Sequence, residues 1–441
     1  MSDAAQPLDA DALGREMHAL ATELFPITRS IAGPGFRESL DILERVTGPM
    51  ERHRFATGTR AFDWTVPQEW TIREAWIKGP AGETIVSLAD SNLHVVSHSE
   101  GVHRRMTLDE LQPHLWSLPE QPDAIPYRTS YYERSWGFCL SENGRRALEP
   151  GEYEVYIDAD LADGHVEMGE ITIPGSTDEE VLISTYLCHP SMANNELSGP
   201  VVVAHLARLL AEREHRPRFT YRLLFAPETI GAVCYLSRFG DRLLERLAAG
   251  YVVTCVGDPA DFSYKLSRRG DSLADRAARH VLSHSGAAHQ VVDFYLPRSD
   301  ERQYGSPGFN LPVGCFLRST ADGFAEYHTS LDDLSFVTAD ALGGSLAMLH
   351  RIIEALEAAE TLEAALPYGE PQLSPRGLYP TTGALREVEQ SRADMMFLLN
   401  YCDGGPDLLA AADRWQRPIW ELRPVADKLI DHELLRRVVS P

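Results

Sequence analysis

Polar residues able to bind a metal or move a proton recur just past successive apolar runs. His189 follows the run 180–186, Glu228 follows 219–226, Asp258 follows 250–256 and His328 follows 311–318. Three more, Asp300, Glu301 and Arg302, follow 291–296. Imidazole and carboxylate are the donors a zinc ion takes when no thiolate is offered. A carboxylate beside such an ion can take the proton of a bound water. Each position has an ordinary explanation when taken alone. Asp258 precedes Pro259, a common turn opening. Glu228 stands near a helix start, where the dipole favours an acid. A single histidine in a loop is usually solvated. Five such positions at successive strand ends carry more weight, because a sheet gathers its strand ends along one edge. The stretch "CHPSMANNELSG", Cys188 to Gly199, adds two amides and a carboxylate, Glu196, after the first histidine. A nucleophilic Cys188 is disfavoured, since neighbours along a strand face opposite sides.

The elements that must hold these residues alternate. "EVLISTY" (180–186) reads as a strand covered on both faces. "ELSGPVVVAHLARLLAERE" reads as a helix, "FTYRLLFAP" as a strand, "IGAVCYLSRFGDRLLERL" as a helix and "GYVVTCVG" as a strand. "DSLADRAARHVLSHSG" is a helix, "QVVDFYLP" and "LPVGCFLR" are strands, and "ADALGGSLAMLHRIIEALEAAE" closes the series as a helix. Such alternation predicts a mostly parallel α/β sheet with its chemistry at the strands' carboxyl ends. Residues 10–25 and 37–48 read as helices before it. From about 55 to 170 short alternating runs separated by Gly, Pro and Asn suit an antiparallel β domain. Within it, "TSYYERSWGFC" could wall the cleft with aromatic rings or pack its own core. After the Pro/Gly-rich "LPYGEPQLSPRGLYPTTG", the last 60 or so residues suit a small winged-helix module.

The chain has 441 residues, a net charge of −24 and 44% hydrophobic residues. It has no run of 18 apolar residues, so no membrane span is expected, and its start lacks a basic-then-apolar signal. These features predict a soluble cytoplasmic protein of two or three domains. The negative charge disfavours nucleic acid and anionic membranes as partners. Residues 371–441 carry 9 Lys+Arg and 10 Asp+Glu, without the basic excess of a DNA-binding winged helix. Packing or homo-oligomer formation is the expectation for that module. Six scattered cysteines, none as CxxC, fit a reducing compartment.

The segments "STYLCHPSMANNELSGPVVVAHLARLL", "FAPETIGAVCYL", "RSDERQYGSPGFNLPVG" and "EYHTSLDDLSFV" together resemble the aminopeptidase-like branch of the M28 zinc peptidases. That branch is associated with polysaccharide or natural-product biosynthesis. The resemblance spans the whole chain. It implies a discontinuous peptidase-like domain (1–55 and 170–365), a β-rich insert (56–169) and a winged-helix tail (366–441). It further implies His189 and His328 as metal ligands, Asp258 as a ligand or as the group orienting His189, and Glu228 as general base. Two family ligands are missing: the bridging Asp position holds Asn195, and the second Glu position holds Thr229. Without a bridging carboxylate, two close ions would repel. Glu196 could stand in as a ligand, could serve only as a helix residue with one weakly held metal left, or the site could be dead. In "SDERQY", Asp300 or Glu301 could hold a substrate ammonium group and Arg302 could clamp a carboxylate, the alternative being a surface turn with an ion pair; the segment's place in the resembling family's active-site loop favours substrate contacts from these residues and Tyr304. The resulting expectation is a zinc-dependent hydrolase of an amide in a small aminoacyl, peptidyl or acylated conjugate. A non-hydrolytic binding or regulatory protein and a single-zinc acyl-transfer or cyclisation enzyme are the rival classes.

Overall fold

The computed structural model describes residues 8–295, 299–320, 323–378 and 386–438. Two helices come first, α1 (Ala10–Leu24) and α2 (Pro34–Thr47), followed by strand β1 (Glu51–Ala56). The insert supplies β2 (Glu69–Lys78), β3 (Thr84–Ser87), β4 (Val102–Thr107) and β5 (Glu152–Ala162), ordered β3-β2-β5-β4 in an antiparallel sheet. Alternating residues of these strands, such as Val155 and Ile157, pack with Trp70, Ile77 and Phe138 into the insert's own core.

The chain then builds a second, larger sheet. Its strands are β6 (His165–Ile173), β7 (Glu180–Tyr186), β8 (Thr220–Ala226), β9 (Leu247–Val253), β10 (Phe262–Lys265), β11 (His289–Val292) and β12 (Val313–Leu317), joined by β1. The order is β1-β6-β8-β7-β9-β12-β10-β11. The centre, β8-β7-β9-β12, is parallel, as the α/β rhythm predicts. Its flanks are not: β6 runs antiparallel to β8 and to β1, and β10 antiparallel to β12. The expected mostly parallel sheet is therefore a mixed one with a parallel core. Every residue of β7 is buried, which accords with its largely apolar sequence. Because β6 begins at His165, the insert gives way to the large sheet inside the stretch expected to close it at 169.

Helix α3 (Ser198–Ala211) follows β7, and α4 (Ile230–Arg246) follows β8. At Gly199 a Cβ would stand 2.4 Å from the Val253 carbonyl oxygen, so the start of α3 can lie this close to the sheet only as glycine. The insert and the large sheet form one compact unit, Asp9–Gly270 with Gln290–Leu346. Among the described residues no helix is long and apolar enough to cross a membrane.

A second unit groups Asp271–His289 with the chain from Ala347. It contains α5 (Leu273–His284), the end of α6 (Ala339–Ala358), strand β13 (Thr361–Ala364), α7 (Arg386–Tyr401), β14 (Asp403–Asp407), α8 (Leu408–Trp415), α9 (Ile419–Asp431) and β15 (Leu435–Arg437). Helix α5 thus groups with the tail and not with the peptidase-like sheet. Several arginines of this unit are matched by acids: Arg276 with Asp407, Arg423 and Arg437 with Glu360, and Arg436 with Glu363. Leu296, expected to end the strand 291–296, and residues 379–383 of the expected linker lie outside the described residues.

Candidate active site

His189 lies three residues beyond β7, in extended coil and no longer in the strand. The alternation rule therefore does not apply to it, and Cys188 Sγ sits 3.4 Å from His189 Nδ1. Burial pushes the Cys188 thiol up to about 12, which keeps it protonated and a poor nucleophile. His189 is also held from below. Arg29, fully buried, donates from Nε to the His189 carbonyl oxygen at 3.1 Å.

The loop after His189 forms a single π-type turn, Ala193–Leu197, leading directly into α3. Such turns often mark functional positions. Asp332 anchors it: its carboxylate accepts the N–H of Asn194 at 2.6 Å and of Asn195 at 2.9 Å. Burial pushes Asp332 up to about 7 in spite of these bonds. The turn aims Glu196 back at the histidine. Glu196 Oε1 accepts the N–H groups of Cys188 and of His189, the latter at 2.9 Å, and Oε2 lies 2.7 Å from His189 Nδ1. Two atoms bonded to one tetrahedral zinc at about 2.0–2.1 Å would be more than about 3 Å apart. The 2.7 Å spacing is that of a hydrogen bond. Glu196 therefore orients His189 and fixes which ring nitrogen is presented, the usual task of a carboxylate behind a metal-binding histidine. Burial opposes charge on His189, but Glu196 overcomes it and holds the ring's pKa well above the ordinary value.

Nε2 of His189 is left facing the cleft, 3.7 Å from Glu228 Oε2. Glu228 follows β8, and burial, partly opposed by His189, raises its pKa. His328 enters from the loop beyond β12 at φ +57°, with its ring centroid 5.2 Å from that of His189. Two imidazoles sharing a tetrahedral ion at about 2.0–2.1 Å per bond would have centroids about 5 Å apart. The ring spacing alone matches that of two imidazoles on a single ion. Cys188, His189 and Glu196 also offer donor atoms within 4.8 Å of one another, but the protonated thiol and the engaged carboxylate make this the weaker grouping.

Asp258 is placed elsewhere. Its oxygens accept from Asn194 Nδ2 at 2.7 Å, Ser319 Oγ at 2.9 Å and Ala260 N at 2.9 Å. It ties the π-type turn to the end of β9, and the orienting task expected of it falls to Glu196.

Thr229 is not a spoiled ligand position but the centre of a tight turn. Ile230 N donates to the Glu228 carbonyl at 2.8 Å, and Thr229 has φ +64° and ψ −71°. This is the rare, strained γ-turn conformation, costly for a β-branched residue. The segment expected to bind substrate pins it. Asp300 Oδ1 accepts the Thr229 N–H at 2.7 Å, and Arg302 Nη2 donates to Thr229 Oγ1 at 2.8 Å. Asp300 is buried, and that burial raises its pKa strongly. Glu301 is buried against Lys265. Tyr304 is a core residue bonded to Ser184 Oγ at 3.0 Å. Of the four residues expected to meet substrate, Arg302 lines the cleft.

The cleft has a volume of about 330 Å³ and is walled by Tyr127, Tyr131, Tyr132 and Trp64 of the insert opposite His189, Glu228, Arg302 and His328. The insert's aromatic run divides: Tyr131 and Tyr132 face the cleft, whereas Trp136 stacks on His114 against the insert core. Tyr127 packs its ring 4.7 Å from His189 and 5.3 Å from His328. A short seam holds it there, with Tyr127 N on the His328 carbonyl and Ser330 N on the Ile125 carbonyl, each at 2.8 Å. Tyr127, Asp332 and Arg29 were not singled out in the sequence; each is brought in by pairing with a distant segment.

Residues 18–359 match the family model described as a domain of unknown function, DUF4910, and residues 339–437 match a winged helix-turn-helix model. A Clostridium acetobutylicum protein, provisionally described as a polysaccharide biosynthesis protein with an aminopeptidase-like domain, is 42% identical over 96% of this chain and 97% of its own. A crystal structure of a provisionally assigned peptidase from Clostridium acetobutylicum superposes with a TM-score of 0.91 at 41% identity, covering 98% of both chains. The zinc aminopeptidase of Bacillus subtilis superposes at 0.56 with 11% identity, over 77% of this chain and 94% of its own, a likeness of fold. The chain therefore belongs to the DUF4910 family, an M28 aminopeptidase-like fold carrying a β-rich insert and a C-terminal winged helix.

Proposed function

We propose that this protein hydrolyses an amide bond in a small aminoacyl, peptidyl or acylated conjugate, with one zinc ion held by His189 Nε2 and His328. The observation that carries the reading is the pair of imidazoles 5.2 Å apart with a half-buried carboxylate, Glu228, 3.7 Å from one of them. Zinc bound there would supply Lewis acidity toward a carbonyl and toward water. The protein's own groups do the rest. Glu196 keeps Nε2 turned to the cleft. Glu228 takes the proton of the attacking water and returns it to the departing amine, and burial tunes it for both halves of that exchange. The γ-turn at Thr229 fixes the approach of Glu228, and the insert's aromatic wall excludes large substrates. The family's name for its Clostridium relative agrees with a conjugate from polysaccharide assembly as substrate. A cytoplasmic location and self-association through the tail remain part of this proposal.

Elemental mass spectrometry of purified protein tests it. About one zinc per chain is expected, lost in His189→Ala and His328→Ala. Glu196→Gln should weaken retention by roughly 10–100-fold, as removal of an orienting partner does. A wild type that takes up no zinc even when it is supplied would point to a non-catalytic binding protein.

A further inference from the structure

The cleft contains a cationic side chain that makes no direct ion pair. Among the described residues Arg302 enters no ion pair; Nη2 is bonded to the neutral Thr229 Oγ1, and Nε has no partner. Its chain neighbours are bonded elsewhere, Asp300 to the Thr229 N–H and Glu301 to Lys265, and with Glu228 they act on its charge only through space. Other arginines of this acidic chain have an acid in contact, as Arg222 and Arg423 do. The other arginine of the cleft, Arg128, lies over the Trp116 ring at 4.7 Å. Across the cleft, Trp64 and Tyr132 meet edge to face with centroids 5.6 Å apart and are 38% and 54% exposed.

We infer that Arg302 is the anchor for a carboxylate on the substrate, whose apolar part lies on the Trp64–Tyr132 wall. The substrate class is then an N-acyl or peptidyl amino acid with a free carboxylate near the scissile amide. A guanidinium offers a planar fork that matches one carboxylate. The inference rests on the hydrolase reading for the word substrate, but the binding site does not depend on turnover.

Titration calorimetry with N-acetylphenylalanine and its carboxamide tests the site, using the wild-type full-length protein. The carboxylate should bind about tenfold more tightly than the amide, the range of a charge-assisted pair. The preference should vanish in Arg302→Gln and fall in Arg302→Lys, which keeps the charge without the fork. Equal binding of the two probes by the wild type, or binding of neither, overturns the inference without recourse to any variant. Acetate release is followed in the same samples. Binding with preference but no release would retain the site and defeat the hydrolase reading; release without preference would do the reverse.

Discussion

Two clusters of buried charge sit at opposite ends of the same strands. At the start of β7 and β8, Arg222 reaches Glu180 with Nε and Nη2 at 2.8 and 3.0 Å and Glu170 with Nη1 at 2.6 Å. His53 closes the group on the other Glu170 oxygen at 2.7 Å. Every carboxylate oxygen there has a hydrogen-bond partner. Beyond the carboxyl ends of β7 and β8 burial is less complete, Asp300 Oδ2 and Arg302 Nε lack hydrogen-bond partners, Thr229 is strained, and Glu228 faces a histidine without bonding it. Saturated charge holds a sheet together. Charge left with spare bonding capacity is what a substrate or metal can complete.

The contrast can be broken by comparable changes at each end. Glu228→Gln should reduce amide hydrolysis by roughly 10²–10⁴-fold, as loss of a general base does, with thermal stability unchanged or slightly raised. A large fall in melting temperature would mean that Glu228 is structural after all. Arg222→Met should do the opposite. It leaves buried Glu170 with His53 alone and Glu180 with Arg242 alone and should cost about 3 kcal/mol in urea unfolding, with zinc content unaffected. Thr229→Gly relieves the positive φ and should stabilise the fold by about 1 kcal/mol while lowering turnover. A loss of stability instead would show that the lost Arg302 bond to Thr229 Oγ1 outweighs the strain. The smallest effect concerns pH. Burial pushes Glu170 up, but His53 and Arg222 overcome it and hold the group below its ordinary value of about 4.5. A depressed acid gives stability that is present above that value and lost as pH falls through the lower folded value. Glu170→Gln should therefore flatten the acid limb of the stability curve below about pH 4.5 and leave the neutral limb parallel to wild type. Glu228, raised by burial, has the opposite sign: its ionisation costs stability as pH rises above the ordinary value.

Much of the sheet was legible because β7, β8, β9 and β12 are buried on both faces and so are written as apolar runs. The strand-end positions of His189, Glu228 and His328 followed from those runs. What stayed hidden depends on long-range pairing. Glu196 looks like a replacement ligand in "NNELSG", and nothing local says that a π-type turn points it at His189 Nδ1. That turn is held by Asp332, 138 residues from Asn194. Asp258 looked like a ligand because strand-end acids often are, but Asn194 claims it. "APETIG" has a glycine near the turn but not at its centre, so the positive φ at Thr229 has no sequence signature. Strand β10, four residues of mixed polarity, carries too short a pattern to be read.

The seam between Ile125 and Ser330 joins residues 205 apart, and this has a consequence for how the molecule comes into being. A contact of such separation is costly to close early. The insert is synthesised before the His328 loop, so it can complete its own antiparallel sheet and core while the strand that precedes that loop is still unmade. The cleft wall is completed only when the His328 loop arrives, because the seam that holds Tyr127 pairs it with that loop. Binding competence is in this sense a property that the chain acquires at the end of its assembly, when two segments made far apart in time are zipped together.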